Sequence, residues 1–215
     1  LSIMDYQCID GGEEMRDKAH AESVDICLDQ VKSDDFIGIQ TYTRHTYGPE
    51  GIVKPNTNDS TMLVMGYEYY PESLENVLRY VAPKINCPMI VTENGIGTDD
   101  DEQRISYVKA ALEGLQRCID DGLDIRGYYY WSFLDNFEWL YGYKPRFGLI
   151  EVDRETLARK SKKSLKFYQE IIEKSSYLNL ITFSLIEKTT INKPTIIFLL
   201  LHRINCSYKY AIWIN

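Results

Sequence analysis

The sequence lacks the features that membrane proteins and nucleic-acid-binding proteins require. No apolar run approaches the roughly 18 to 20 residues that a membrane-spanning helix needs, and the strongest candidate, TIIFLLL at residues 195–201, is far shorter. Basic residues do not cluster, and acidic residues outnumber them, so that the formal net charge is −8. Because phosphate binding needs a basic surface, we expect neither a nucleic-acid partner nor a membrane partner, and small neutral substrates fit this composition better.

Metal-binding and disulfide patterns are also missing. The five cysteines are scattered without C-x-x-C spacing, and the three histidines are equally dispersed. This distribution predicts free thiols rather than a disulfide framework, and it predicts no metal site. The first residues, LSIMDYQCIDGG, show neither a signal peptide nor an initiator methionine. We expect a cytoplasmic location, with the alternative that a secretory segment was lost together with missing upstream sequence.

What the sequence does contain is an alternation of helical and strand patterns. Apolar residues at helical spacing predict four helices, over residues 24–31, 74–81, 105–119 and about 155–172. The third is preceded by a capping box of Asp99 and Glu102 and is followed by Gly122 as its stop. Segments rich in β-branched and aromatic residues predict three strands, at residues 35–42, 88–93 and 125–131. The order α-β-α-β-α-β-α predicts parallel strands joined by crossovers.

Two parallel architectures fit this order, a doubly wound open sheet and a (β/α)₈ barrel. None of the three strands leads into a G-x-G-x-x-G turn or a P-loop, which argues against a nucleotide-binding open sheet. The barrel is therefore preferred, and in a barrel the active site lies where the strands end. Those ends carry Tyr42, Glu93 and Trp131.

The segment after the third strand combines flat aromatic side chains with carboxylates. In WSFLDNFEWLYGYKPRFGLIEVD, which begins at Trp131, aromatic residues interleave with Asp135 and Glu138. A neutral sugar presents an apolar C–H face and a ring of hydroxyls, and this combination of side chains suits both. From the residues alone, a small core packed under a long loop explains the pattern equally well.

Four motifs occur in an order that carries a family resemblance. DFIGIQTYTR and MGYEYYPESL precede VTENGIG, which is followed about thirty residues later by GYYYWSFLDNFEWLYGYKPRFGLIEVD. Together they resemble glycoside hydrolase family 1, the β-glucosidase and β-galactosidase family, over about residues 17–172. The resemblance implies an α/β fold, the (β/α)₈ TIM barrel. This chain would supply the C-terminal portion, about three parallel strands with their helices, and the barrel would be incomplete.

The resemblance also implies roles for individual residues. Glu93 matches the catalytic nucleophile, and Tyr42 matches the tyrosine whose hydroxyl hydrogen-bonds that nucleophile and keeps it ionised. Glu138 matches the residue that accepts hydrogen bonds from two sugar hydroxyls, whereas Asp135 is interpreted as structural. The aromatic and hydrogen-bonding surround of the sugar corresponds to Trp131, Trp139 and Phe147.

The chain departs from the family pattern at three points. Gln40 stands where Asn is commoner, which puts the hydrogen bonding beside Tyr42 in doubt, and Tyr67 stands where many relatives have Trp, which predicts a different aglycone preference. The third departure is an absence. Retaining glycosidases need a second carboxyl group as general acid/base, and the Asn-Glu-Pro motif that supplies it in this family does not occur in the chain.

The resemblance thus implies that residues 1–175 form the C-terminal half of a retaining β-glycosidase. Such an enzyme hydrolyses terminal non-reducing β-D-glucosides or related small-molecule β-glycosides through a covalent glycosyl-enzyme and needs no cofactor. The isolated chain is expected to be inactive. Residues 176–215 lie outside the resemblance and are interpreted as a spurious or disordered tail, with an added targeting or partner-binding segment as the alternative. Two other functions stay open, a thioglucosidase and a non-catalytic sugar-binding or pseudoenzyme fragment.

Overall fold

The computed structural model of this protein describes residues 1–31, 33–55 and 61–186. Within them the strands are β1 (Asp5–Cys8), β2 (Ile37–Gln40), β3 (Arg44–Gly48), β4 (Gly51–Ile52), β5 (Met89–Asn94), β6 (Ile125–Tyr130), β7 (Ile150–Val152) and β8 (Arg159–Ser161). The α-helices are α1 (Glu13–Ala19), α2 (Ile26–Val31), α3 (Ser73–Val81), α4 (Asp101–Asp120) and α5 (Lys163–Ile186). A π-helical segment, His20–Asp25, joins α1 to α2, and a 3₁₀ turn, Ala82–Lys84, follows α3.

A parallel sheet of β2, β5 and β6, in that order, forms the centre of the fold. Ile37 on β2 pairs with Met89 on β5, which pairs in turn with Ile125 on β6. Helix α3 connects the first two strands along the chain, and α4 connects the next two. The predicted α/β class and the three parallel strands are confirmed. Within the described residues the sheet stays open and does not close into a barrel.

The outer edge of β2 is occupied by the first residues of the chain. Ser2 forms a parallel bridge with Gln40. Gln40 N donates to Leu1 O at 2.8 Å, and Ile3 N donates to Gln40 O at 2.8 Å. This parallel pairing beside β2 was not predicted from the sequence, because the segment is short and mixes polar with apolar residues instead of forming an apolar run.

The hydrophobic core lies between the central sheet and its helices. In β2 the buried residues Ile37 and Ile39 alternate with half-buried ones, as expected when one face of a strand packs against other elements. The same buried cluster takes its helical members from α3 and α4, among them Leu74, Val77, Leu78, Val81, Tyr107, Ala111 and Leu115. The apolar spacing that predicted these two helices therefore marks the faces that cover the sheet.

A second, smaller sheet was not predicted. Strand β1 runs parallel to β3, with Asp5 opposite Arg44, and β3 continues through a hairpin into β4. Gly51, at the hairpin, has φ +113°, a conformation that side chains disfavour. The sequence of β3, RHTYG, carries no aliphatic residue, which explains why its pattern gave no strand signal.

The boundaries of the early helices differ from the prediction in detail. The first predicted helix, residues 24–31, is helical, but the helical segment already begins at Glu13. Helix α4 is capped by Asp100 and not by the predicted Asp99, because Asp100 Oδ1 accepts hydrogen bonds from Glu102 N at 3.0 Å and Gln103 N at 3.3 Å. Gly122, with φ +91°, follows the helix as predicted.

The last predicted helix is present, but its predicted bounds were wrong. The structure places α5 at Lys163–Ile186, whereas residues 155–161 belong to the β7–β8 hairpin. Asp153 Oδ1 accepts hydrogen bonds from Glu155 N and Thr156 N, which makes a turn where a helix start was expected. Residues 187–215, including the apolar run at 195–201, lie outside the described residues. Among the residues described, no helix has both the length and the apolar character needed to cross a bilayer.

The long segment between β6 and β7 is anchored by a buried ion pair. Lys162 Nζ donates to Asp135 Oδ1 at 2.9 Å and to Gly148 O at 2.8 Å, while Gly148 N donates to Asp135 Oδ1 at 2.8 Å. Burial lowers the pKa of Lys162, the Arg104 cation lowers it further, and the hydrogen bond to Asp135 opposes both. Asp135 thus fixes the backbone of the segment.

We expect Lys162→Met to lower the free energy of unfolding by about 3 to 5 kcal/mol, because it leaves the buried Asp135 carboxylate without its cation. The neighbouring Lys163 is the matched control. It pairs with Glu102 at the surface, where both side chains are largely exposed, so Lys163→Met should cost no more than about 1 kcal/mol. Urea denaturation of the two variants measures the difference, and equal small losses would show that the buried pair does not anchor the segment.

Candidate active site

The ends of the three central strands meet at one edge of the sheet. Gln40 pairs with Glu93 across β2 and β5, with a shift of register between Ile39 and Gln40. On the other side of β5, Trp131 N donates to Asn94 O at 2.9 Å. The structure therefore brings together the strand ends that carry Tyr42, Glu93 and Trp131, as expected for parallel neighbours.

The glycine of the Glu-Asn-Gly sequence is required by a close backbone approach. A Cβ atom on Gly95 would lie 1.9 Å from the carbonyl oxygen of Trp131. Only glycine lets the chain leaving β5 pass this near to the chain leaving β6. The sequence after Glu93 is thus explained by the packing of two strand ends, and not by an ordinary Asn-Gly turn.

The carboxylate of Glu93 accepts one hydrogen bond on each oxygen. Gln40 Nε2 donates to Oε1 at 2.7 Å, and the Tyr42 hydroxyl donates to Oε2 at 2.5 Å. Burial raises the pKa of the Tyr42 phenol, and its hydrogen bond to Glu93 raises it further. The phenol therefore remains a donor at neutral pH. Both donors are neutral, so they fix the orientation of the carboxylate without placing a positive charge beside it.

The longer side chain of Gln40 resolves the doubt that its departure from Asn had raised. Gln40 is the last residue of β2, Tyr42 follows two residues later, and both side chains donate to Glu93. The shift of register at Gln40 places its backbone directly opposite Glu93. The amide reaches the carboxylate oxygen that Tyr42 leaves free.

Glu138 faces the same space as Glu93. Its side chain is half-buried, and Trp131 Nε1 donates to Oε1 at 3.3 Å. Burial raises the pKa of Glu138 and the negative charge of Glu93 adds to this, while the Trp131 hydrogen bond lowers it. A tight turn presents the residue, since Glu138 N donates to Gly142 O at 2.8 Å and Gly142 has φ +61°.

The three aromatic residues named from the sequence lie in different environments. Trp131 is half-buried and contacts Glu138. Phe147 is only 2% exposed and packs edge-on against Tyr42, with ring centroids 6.1 Å apart. Trp139 is 91% exposed. Phe147 therefore supports Tyr42 from behind, whereas Trp139 offers an open face to solvent beside Glu138.

Tyr67 lies near Tyr42 and Glu138. Burial raises the pKa of its phenol, and the negative charge of Glu138 contributes in the same direction. Tyr67 and Glu138 also contribute to raising the pKa of the Tyr42 phenol. In sequence, Tyr67 is noted as a departure from relatives but is not among the named site residues. Tyr67 and Glu138 are far apart along the chain, so the sequence does not show that they are close in space.

Among residues 1–31, 33–55 and 61–186, no group of three or more His, Cys, Asp or Glu side chains is arranged to hold a metal ion. Around this strand edge lie the carboxylates of Glu93 and Glu138, the Tyr42 phenol, the Gln40 amide and the half-buried indole of Trp131. Such groups suit a nucleophilic carboxylate attacking a hydroxylated, uncharged substrate.

Comparison with known proteins gives relatives of one kind. The chain is 34% identical to 1,4-beta-D-glucan glucohydrolase of Thermotoga neapolitana over 161 residues, covering 68% of this chain and 36% of the relative. It is 35% identical to beta-glucosidase A of Thermotoga maritima over 153 residues, covering 65% of this chain and 34% of the relative. The chain thus spans about a third of the length of these relatives.

Solved structures agree with this fold. A beta-glycosidase from Pyrococcus horikoshii superposes with a TM-score of 0.69 at 34% identity, covering 79% of this chain and 46% of that one. A hyperthermophilic beta-glucosidase from Pyrococcus furiosus superposes with a TM-score of 0.70 at 33% identity, covering 81% and 41%. The family model described as Glycosyl hydrolase family 1 matches residues 25–177. The chain therefore belongs to glycosyl hydrolase family 1.

Proposed function

We propose that this chain is the nucleophile-bearing part of a retaining β-glycosidase that hydrolyses terminal non-reducing β-D-glucosides or related β-glycosides. The observation that carries the proposal is the carboxylate of Glu93, held at a strand end by one neutral donor on each oxygen. A nucleophile needs a fixed orientation and an intact negative charge, and this arrangement provides both. The names of the relatives, among them beta-glucosidase A, support the substrate class.

In the proposed reaction, a Glu93 oxygen forms a bond to the anomeric carbon as the glycosidic C–O bond breaks. The leaving oxygen takes a proton from a general acid, and the sugar remains on Glu93 as an ester. Water then attacks the same carbon, gives its proton to the group that acted as acid, and releases Glu93. Glu138 accepts hydrogen bonds from two sugar hydroxyls, and the exposed indole of Trp139 stacks on the apolar face of the sugar.

The general acid/base is proposed to come from outside these residues. The chain contains no Asn-Glu-Pro sequence, and it spans about a third of its relatives. In the following experiments the full-length protein means this chain joined to the remaining part of its barrel. The two alternatives are distinguished there, because a sugar-binding protein would bind without turnover and a thioglucosidase would turn over only substrates with good leaving groups.

Glu93→Ala in the full-length protein should abolish hydrolysis of a nitrophenyl β-glucoside. Azide should restore turnover, because it occupies the vacated space, attacks from the same face and yields a glycosyl azide of inverted configuration. Product analysis by NMR identifies the configuration. Glu102→Ala is the control, since Glu102 pairs with Lys163 at the surface, and its activity should match the wild type. Near-normal activity of the Glu93→Ala protein without azide would rule out this residue as nucleophile.

Glu138→Gln should lower kcat/KM while the protein stays folded. Replacing the charged acceptor weakens its hydrogen bonds to the sugar by roughly 1.5 to 3 kcal/mol, which corresponds to about a ten- to hundredfold loss. Because burial raises the pKa of Glu138, the carboxylate takes up a proton at a higher pH than an exposed glutamate would. Affinity for the sugar should therefore weaken as the pH falls, and this dependence should be absent from the Gln variant. Unchanged kcat/KM on gluco- and galacto-configured substrates would contradict the assignment.

The chain of 215 residues, expressed alone, should not hydrolyse an unactivated alkyl β-glucoside. Protonation of the leaving oxygen typically contributes about 10² to 10⁴ in rate, and the chain lacks the Asn-Glu-Pro sequence that would supply the donor. Co-expression with the N-terminal half of a close relative should restore activity, and the same half paired with a Glu93→Ala chain should not. Robust hydrolysis by the purified, monomeric chain would require an acid among its own residues and would contradict the proposal.

A further inference from the structure

A buried amide lies next to the proposed nucleophile. Asn94 is 0% exposed, and its side chain bonds to three different partners. Nδ2 donates to Thr41 O at 2.7 Å and to the Tyr107 hydroxyl at 3.2 Å, and Oδ1 accepts from the Tyr128 hydroxyl at 2.9 Å. The amide thereby joins the end of β2, helix α4 and strand β6 to the strand that carries Glu93.

The network continues from Tyr107 to the backbone of Tyr42. The Tyr107 hydroxyl, which accepts from Asn94, donates to Tyr42 O at 2.8 Å. Tyr42 is the residue whose own hydroxyl donates to Glu93. Both members of the Tyr42–Glu93 hydrogen bond are therefore attached to one network, Tyr42 through its carbonyl group and Glu93 through its covalent neighbour.

The location of these groups makes the network rigid. Tyr107 is 0% exposed and Tyr128 is 5% exposed, and burial raises the pKa of both phenols, which keeps them protonated as donors. Inside a protein, hydrogen bonds are electrostatically stronger than in water, and a network in which each group finds a partner fixes the geometry of the groups that it links. If the network served only to stabilise the core, it would not need to end on the carbonyl groups of Thr41 and Tyr42.

We propose that Asn94, Tyr107 and Tyr128 are positioning residues for the reaction of Glu93. They fix the backbone at the ends of β2 and β5, and with it the geometry between the Tyr42 phenol and the Glu93 carboxylate. The inference rests on the proposed function of Glu93 and extends it to residues that touch neither substrate nor reacting atoms. Their loss should slow the attack of Glu93 more than it weakens binding of the sugar.

The test measures the attack by itself. In the full-length protein, a 2-deoxy-2-fluoro-β-D-glucosyl fluoride labels the nucleophile. A Glu93 oxygen forms a bond to the anomeric carbon, the C–F bond at that carbon breaks, and fluoride leaves without needing a proton. The rate constant of labelling at saturation reports on positioning, and the half-saturating concentration reports on binding. Tyr107→Phe and Tyr128→Phe each remove one hydroxyl from the network while keeping the ring.

Tyr168→Phe is the matched control. The Tyr168 hydroxyl is 3.4 Å from Tyr128 O, and its ring packs against Tyr128 with centroids 6.3 Å apart, but it makes no bond to Asn94 among the described contacts. We expect Tyr107→Phe and Tyr128→Phe to lower the saturating rate constant at least tenfold, since a misplacement of about 1 Å can cost about 10²-fold. The half-saturating concentration should change less than about twofold, and Tyr168→Phe should leave both constants unchanged.

Two results would overturn the inference in distinguishable ways. In one result, Tyr107→Phe and Tyr128→Phe both keep the wild-type rate constants, and their melting temperatures fall to the same extent as that of Tyr168→Phe. This result would show that the network only stabilises the core. If Tyr107→Phe does not fold, Tyr128→Phe decides, because it removes only the bond to Asn94 Oδ1. Failure of the inactivator to label the wild-type protein would instead overturn the proposed function of Glu93, and the inference with it.

Discussion

The hydrogen bonds to the Glu93 carboxylate are the interaction on which the rest of this site depends. Gln40 and Tyr42 each donate to one oxygen, and neither carries a charge. A cation in their place would hold the carboxylate as firmly but would neutralise the charge with which we propose that it attacks. In that proposal the neutral donors fix the orientation and leave the charge for the substrate, and the second carboxylate, Glu138, binds sugar hydroxyls.

This arrangement exists because three parallel strands end together. The shift of register at Gln40 puts its backbone opposite Glu93, and the absence of a side chain at Gly95 lets the chain after β6 approach the chain after β5. Trp131 then reaches Glu138 from the third strand. The contacts of Glu93 with Gln40 and Tyr42 join residues that are far apart in sequence, whereas Trp131 and Glu138 belong to one segment after β6, so the site combines the sheet with that segment.

The sequence predicted those features that depend on local patterns. Apolar runs and helical spacing located the three central strands and the helices over them, and the strand ends led to Glu93. Features that depend on position in the folded sheet could not be predicted. The pairing of Ser2 with β2 has no apolar run to signal it, and an aromatic pattern cannot distinguish Phe147, buried behind Tyr42, from Trp139, exposed beside the pocket. Asn94 was not named from the sequence, because its partners in α4 and β6 are distant in sequence.

The most direct test of the central claim is to find which residue carries the sugar. The full-length protein labelled with a 2-fluoroglucosyl fluoride would be digested with protease, and the modified peptide would be sequenced by mass spectrometry. The account predicts a single fluoroglucosyl group on Glu93, within the segment VTENGIG, and no labelling of the Glu93→Ala protein. A stable sugar ester on Glu138, or on any other residue while Glu93 stays unmodified, would contradict it.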